Sequence, residues 1–268
     1  MDKKTLLVMA SLCASLTTVQ AQKKNYEKMV YTDVSVEGEN MTVVGKDIVS
    51  TLKEAKFKIR ITNKSDEVIL FIPDESAMKL DGKEVKPFEK PLDIPPNDVD
   101  FRVINFPGPK YMVPAYSYEI TGLYKVSTTK NVVETPDFML PPASTTFKTG
   151  NFTCDMMDVD KKTDKTTVKF ECRYTGDKVG VINPWKTAVK LPDGTEIATA
   201  KSKKNSILLT KGESKKFTLV WERMEGGKAT DMQKIKLPIV WHDCFVEADP
   251  IKLKPVTLDF KLDEANSK

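Results

Sequence analysis

Trp241, His242, Asp243 and Cys244 are consecutive, and His242 is the only histidine of this 268-residue chain, set beside an acid and near a thiol. Histidine can take a proton from a thiol and aspartate can orient the histidine, so the tetrad has the parts of a nucleophile-and-base site. The spacing argues against that use. Along "KIKLPIVWHDCFVEA", Ile235, Leu237, Ile239, Trp241 and Phe245 fall on one apolar face, which sends His242 and Cys244 to the other side at a solvated strand end. One imidazole cannot furnish a zinc shell, and Cys154, Cys172 and Cys244 lack the paired spacing of a finger, so neither metal nor cofactor is expected. The acidic clusters "DMMDVDKKTD" and "DESAM" have the residue types that flank a glycosidic bond, but they fall in turn-like segments where aspartate caps bends. No Gly-rich phosphate loop is present. An enzyme is not expected.

The second candidate is a binding segment. "PLDIPPNDVDFRVINFPGPKYMVPAYSYE", Pro91 to Glu119, combines several prolines with Phe101, Phe106, Tyr111, Met112 and Tyr116. Prolines reduce the entropy lost on ordering, and aromatics with methionine are enriched at binding hot spots. Phe106, Tyr111, Met112 and Tyr116 are therefore the candidate binding residues for a protein partner. A glycan stacked on Tyr111, Tyr116 or Trp185 is the alternative. The competing structural role for these rings is to plug the end of a core.

The elements that must position these residues come from an internal repeat. "FKIRITNKSDEVILFIPDESAMKL", Phe57 to Leu80, lies without a gap on "VKFECRYTGDKVGVINPWKTAVKL", Val168 to Leu191, at an offset of 111 positions (57 to 168). Lys58 matches Lys169, Pro73 matches Pro184, and Lys79-Leu80 match Lys190-Leu191. A later echo sets "TPDFML", Thr135 to Leu140, on "TLDFKL", Thr257 to Leu262. Within each copy, apolar and polar residues alternate in short runs closed by turn residues, which predicts strands. The 16 prolines suit strand edges and connections and would break helices. "NFTCDMMD" and "TVKFECRY" then form adjacent strands about a turn near Lys162 and Thr163. That hairpin sets Cys154 opposite Cys172, on the face shared with Phe152, Val168 and Phe170.

Two copies of this size, each with several short strands, predict an all-β chain of two tandem immunoglobulin-like β-sandwich domains. The expected boundaries are 22–140 and 146–268, joined by a linker at 141–145. With its turn-rich entry into a late strand, "LLTKGESKKFTLVW", Leu208 to Trp221, the chain resembles the uncharacterised immunoglobulin-like domains of exported bacterial envelope proteins. The tyrosine-corner motif of antibody-type domains is absent. Cys172 followed by Trp185 also resembles the immunoglobulin core, which implies a rival bridge from Cys172 to Cys244. Cys154 with Cys172, Cys172 with Cys244 and no bridge all stay open.

The N-terminal stretch "MDKKTLLVMASLCASLTTVQAQ" has two lysines, a short apolar run, and Val19 and Ala21 at the small-residue positions of a cleavage site. Residues 1–21 read as a secretory signal, and "VQAQ" resembles signals common in Bacteroidetes. The run is too short for a spanning helix, and nothing later is long enough, so no integral membrane segment is expected in the mature chain. Export to the periplasm or cell surface follows, with disulfides permitted there. The formal charge of +4 is dispersed among lysines and acids, which speaks against nucleic acid. The expected function is a non-catalytic cell-envelope protein that binds or braces an envelope or surface protein.

Overall fold

The computed structural model describes residues 25–200, 204–223 and 231–268, so the signal segment lies outside the described residues. In covalent order the first copy supplies β1 (Lys28–Val30), β2 (Val34–Gly38), β3 (Met41–Thr51), β4 (Glu54–Asn63), β5 (Val68–Phe71), β6 (Ala77–Leu80), β7 (Lys83–Val85), β8 (Leu92–Ile94), β9 (Val99–Pro107), β10 (Ala115–Ile120), β11 (Leu123–Val126) and β12 (Phe138–Leu140). The second supplies β13 (Thr146–Thr149), β14 (Phe152–Lys161), β15 (Lys165–Tyr174), β16 (Val179–Ile182), β17 (Ala188–Lys190), β18 (Glu196–Ala198), β19 (Ile207–Leu209), β20 (Ser214–Glu222), β21 (Leu237–Val240), β22 (Phe245–Ala248), β23 (Ile251–Lys252) and β24 (Val256–Lys261). The described helical structure is confined to single 3-10 turns such as Pro73–Glu75 and Pro184–Lys186.

The chain is all-β, and the repeat is visible element by element. β3, β4 and β5 and the turn at Pro73 return as β14, β15 and β16 and the turn at Pro184 at the constant offset of 111. Even the irregularities repeat: the β3–β4 ladder slips between Lys46 and Val49, and β14–β15 slips between Met156 and Asp158. Alternation explains the layers. β4 buries Ala55, Phe57, Ile59 and Ile61 and turns Lys56 and Arg60 outward; β15 does the same with Val168, Phe170 and Cys172. Antiparallel sheets pack through such faces into a sandwich.

In the first copy, the sheet β1-β3-β4-β9, with β2 on β3, covers the core from one side. The opposite layer is split into β24-β10-β6-β7 and β23-β11-β5-β8. The second copy repeats this with β13-β14-β15-β20 against β12-β21-β17-β18 and β19-β16-β22. Hydrogen bonding does not respect the division 22–140 and 146–268. β24, near the end of the chain, pairs with β10 along six residues from Ala115↔Lys261 to Ile120↔Val256. β12, expected as the last strand of the first unit, pairs instead with β21 through Phe138↔Ile239 and Leu140↔Leu237. Each copy thus gives its closing strand to the other. Leu258 and Phe260 are buried in the first core, and Phe138 and Leu140 in the second.

A third core lies between them. "VILF" and "VGVI", the sequences of β5 and β16, are buried at all four positions. Ile69 and Phe71 face the first core, while Val68 and Leu70 meet Val179, Val181, Leu208, Val246 and Ala248 of the second copy. Continuous apolar runs, in place of alternation, mark a strand covered on both faces.

Candidate functional site

The tetrad at 241–244 is a turn between β21 and β22. The Cys244 N–H donates to the Trp241 carbonyl at 2.8 Å, and His242 takes a left-handed φ of 42°. The reversal breaks the alternation expected from the sequence: Trp241 and Cys244 both enter the second core, and His242 is thrown outward. His242 Nε2 lies 2.9 Å from Glu196 Oε2, about half exposed. Burial pushes the Cys244 thiol up to about 12, so it stays protonated and faces away from the imidazole's surroundings. The two side chains do not form a nucleophile–base pair. Cys244 thus points inward and not, as expected, outward, and its backbone position has a counterpart in the first copy, where Ile72 N–H donates to the Gly122 carbonyl as Asn183 N–H donates to that of Cys244, both at 2.7 Å.

Cys154 and Cys172 face each other across the β14–β15 ladder and are joined by a disulfide, with Cα atoms 4.0 Å apart. Cys244 is free. Among the described residues, no three His, Cys, Asp or Glu side chains converge in a way that could hold a metal ion. No described helix is long and apolar enough to cross a membrane.

The aromatic segment lies mostly inside. Phe106 and Tyr111 are 1% exposed and Tyr116 5%, while Met112 is half-buried against the same core. Phe106 and Tyr111 have ring centroids 5.8 Å apart, and Tyr116 meets Phe260 edge-on at 5.2 Å. The Tyr31 hydroxyl donates to the Val113 carbonyl at 2.8 Å and fixes the loop from below. An exposed docking loop built on Phe106, Tyr111 and Tyr116 does not fit this placement, because a partner would reach these rings only by opening the core. Phe101 alone is well exposed, with the Lys58 ammonium 5.2 Å above its ring. The glycan alternative loses Tyr111 and Tyr116 as platforms for the same reason. Trp185, half-buried, borders a cleft of about 70 Å³ with Asp93, Thr128 and Asn205.

Only the start of this segment reaches the seam between the copies, through Asp93, Pro95 and Pro96. Asp93 accepts from Lys215 Nζ at 3.1 Å across it, and burial raises the Asp93 carboxyl above its usual range while Lys215 opposes the shift. Asn183 is wholly buried and donates through Nδ2 to the Thr128 carbonyl at 2.9 Å. Its Oδ1 accepts from Ser206 Oγ at 2.8 Å. These polar ties surround the apolar contact of Val68 and Leu70 with Val179 and Val181. The seam was not among the sequence candidates, although the unbroken apolar runs of β5 and β16 carried its signal. Neither known protein-family models nor curated protein sequences give a match to this chain.

Proposed function

We propose that this protein is a non-catalytic, exported cell-envelope component that braces a protein partner, its two β-sandwich halves acting as a single stiff body. The observation that carries this reading is the reciprocal exchange of closing strands. A tandem pair joined by a flexible linker moves as two bodies; here, bending at residues 141–145 would require β12 to leave β21 and β24 to leave β10. Each ladder closes a buried core, and the third core between the copies adds a further apolar contact that bending would expose. Export is supported by the signal-like N-terminal sequence and by a disulfide of the kind that persists in oxidising compartments. The lone imidazole held by Glu196 and the protonated Cys244 leave the tetrad without a catalytic arrangement.

Rigidity is measured by spin labels placed on exposed Asp81 and Lys148, one on each copy, in a background with Cys244 replaced by alanine. A single narrow distance distribution is expected. A broad one would show two independently moving bodies and end the bracing reading. Partner binding is checked separately by cross-linking in intact cells, with recovery of one envelope protein expected.

A further inference from the structure

The two copies serve as internal controls for each other. On the outward face of β24-β10-β6-β7, Lys79 is held by Glu119 at 2.5 Å and by Glu84 at 3.8 Å, and Ser117 stands in register with Lys79 on one side and Asp259 on the other. The second copy builds the same face from β12-β21-β17-β18. There Lys190 takes the place of Lys79, Pro238 that of Ser117, Val240 that of Glu119 and Met139 that of Asp259. Glu196 pairs in register with Lys190 as Glu84 does with Lys79, yet its carboxylate is engaged by His242 at 2.9 Å. The turn that throws His242 outward therefore gives Glu196 a second neighbour besides the lysine.

A charged lattice in one copy has become an apolar floor in the other. Met139 is 43% exposed, and with Leu191, Pro192, Ile235 and Pro238 it lines an open groove of about 390 Å³. Lys190 and Lys236 also line it, both exposed and neither with an ion-pair partner among the described residues. We infer that this groove binds an extended acidic segment of a partner protein, apolar side chains resting on the Met139–Pro238 floor and carboxylates meeting Lys190 and Lys236. Charge complementarity selects this occupant: the floor offers apolar contact, and the two charged side chains that line the groove are both lysines. The inference rests on the reading of this chain as a partner-binding module and names where that partner is held.

The probes are two acetylated peptides, Glu-Leu-Glu-Val-Glu-Leu-Glu and the same sequence with lysine for glutamate, titrated into the isotope-labelled mature chain and followed by backbone amide resonances. The acidic peptide is expected to shift Met139, Leu191 and Ile235, and the basic one to leave them in place. Grafting the first copy's residues, M139D with P238S and V240E, is expected to weaken the acidic peptide at least about tenfold with the melting transition retained. K190E with K236E, on exposed positions, is expected to exchange the preference between the two peptides. Equal response to both peptides, undiminished binding by the grafted variant, or no shift at about 1 mM peptide would overturn the inference. So would concentration-dependent shifts of these resonances without peptide, which would assign the groove to a second copy of the chain. A failed titration with a single narrow spin-label distance would remove the groove and leave the stiff body, whereas a broad distance distribution, which requires β12 to leave β21, would remove the stiff body whatever the peptides do.

Discussion

Cys244 shows how a side chain with chemical potential is silenced by its position. Its thiol is pushed up to about 12 by burial, above the usual value of about 8.5. A folded-state pKa above the unfolded one contributes stability that is complete below the unfolded value and is lost as pH rises through the folded one. Buried Tyr116 and Tyr118, their phenols raised by the same desolvation, act with the same sign. Stability is therefore expected to fall between about pH 8.5 and 12, read as a declining melting temperature across an alkaline series. At neutral pH, iodoacetamide is expected to leave native Cys244 unmodified and to label it fully in concentrated guanidinium. Tyr111 and Tyr116 carry the companion prediction: replacing either with alanine should cost about 3 to 5 kcal/mol in a urea titration, since each ring is buried against aromatic neighbours. A surface ring would show almost no change.

The elements hold together by ladders that the covalent order does not suggest. β24 fills the layer beside β10, and Phe260 packs against Phe57 at 5.0 Å. Phe260→Ala is accordingly expected to destabilise the first core by about 3 to 5 kcal/mol, although the residue belongs covalently to the second copy. Amide hydrogen exchange will locate the effect: protection should drop in β4 and β10 and persist in β15 and β21. The β14–β15 hairpin is tied by Cys154 and Cys172, 18 residues apart in sequence. Replacing both with alanine is expected to lower stability by about 3 kcal/mol in the chain-entropy model, measured by denaturant unfolding with and without reductant.

For the whole molecule, the exchange makes the two copies unequal partners in folding. The second core is closed by β12, which precedes most of it in the chain, whereas the first core waits for β24. Truncation after Asp249, removing β23 and β24, is expected to expose the first core and spare the second. Limited proteolysis should then degrade residues before about 130 and leave a protected fragment from there to the cut, and intact resistance of the first half would contradict the exchange.

Strand content, the repeat and the inward residues were legible because they are local: period-2 alternation in "KFKIRIT" and "TVKFECRY" dictates which side chains face a core, and the constant offset carries the same pattern into both copies. The opposition of Cys154 and Cys172 was legible for the same reason, being set by one hairpin. Partner choice between distant strands was not. β12 and β24 lie in the matching stretches "TPDFML" and "TLDFKL", so alternation tells each that it must be buried and on which face, but not beside which strand. That was decided by the geometry of the chain crossing between sheets and by the contact of β5 with β16, whose apolar runs close the two copies on each other. The aromatic segment went inward on the same account: composition gives a ring its affinity for apolar contact, and only the packed layers determine whether a core or a partner supplies it.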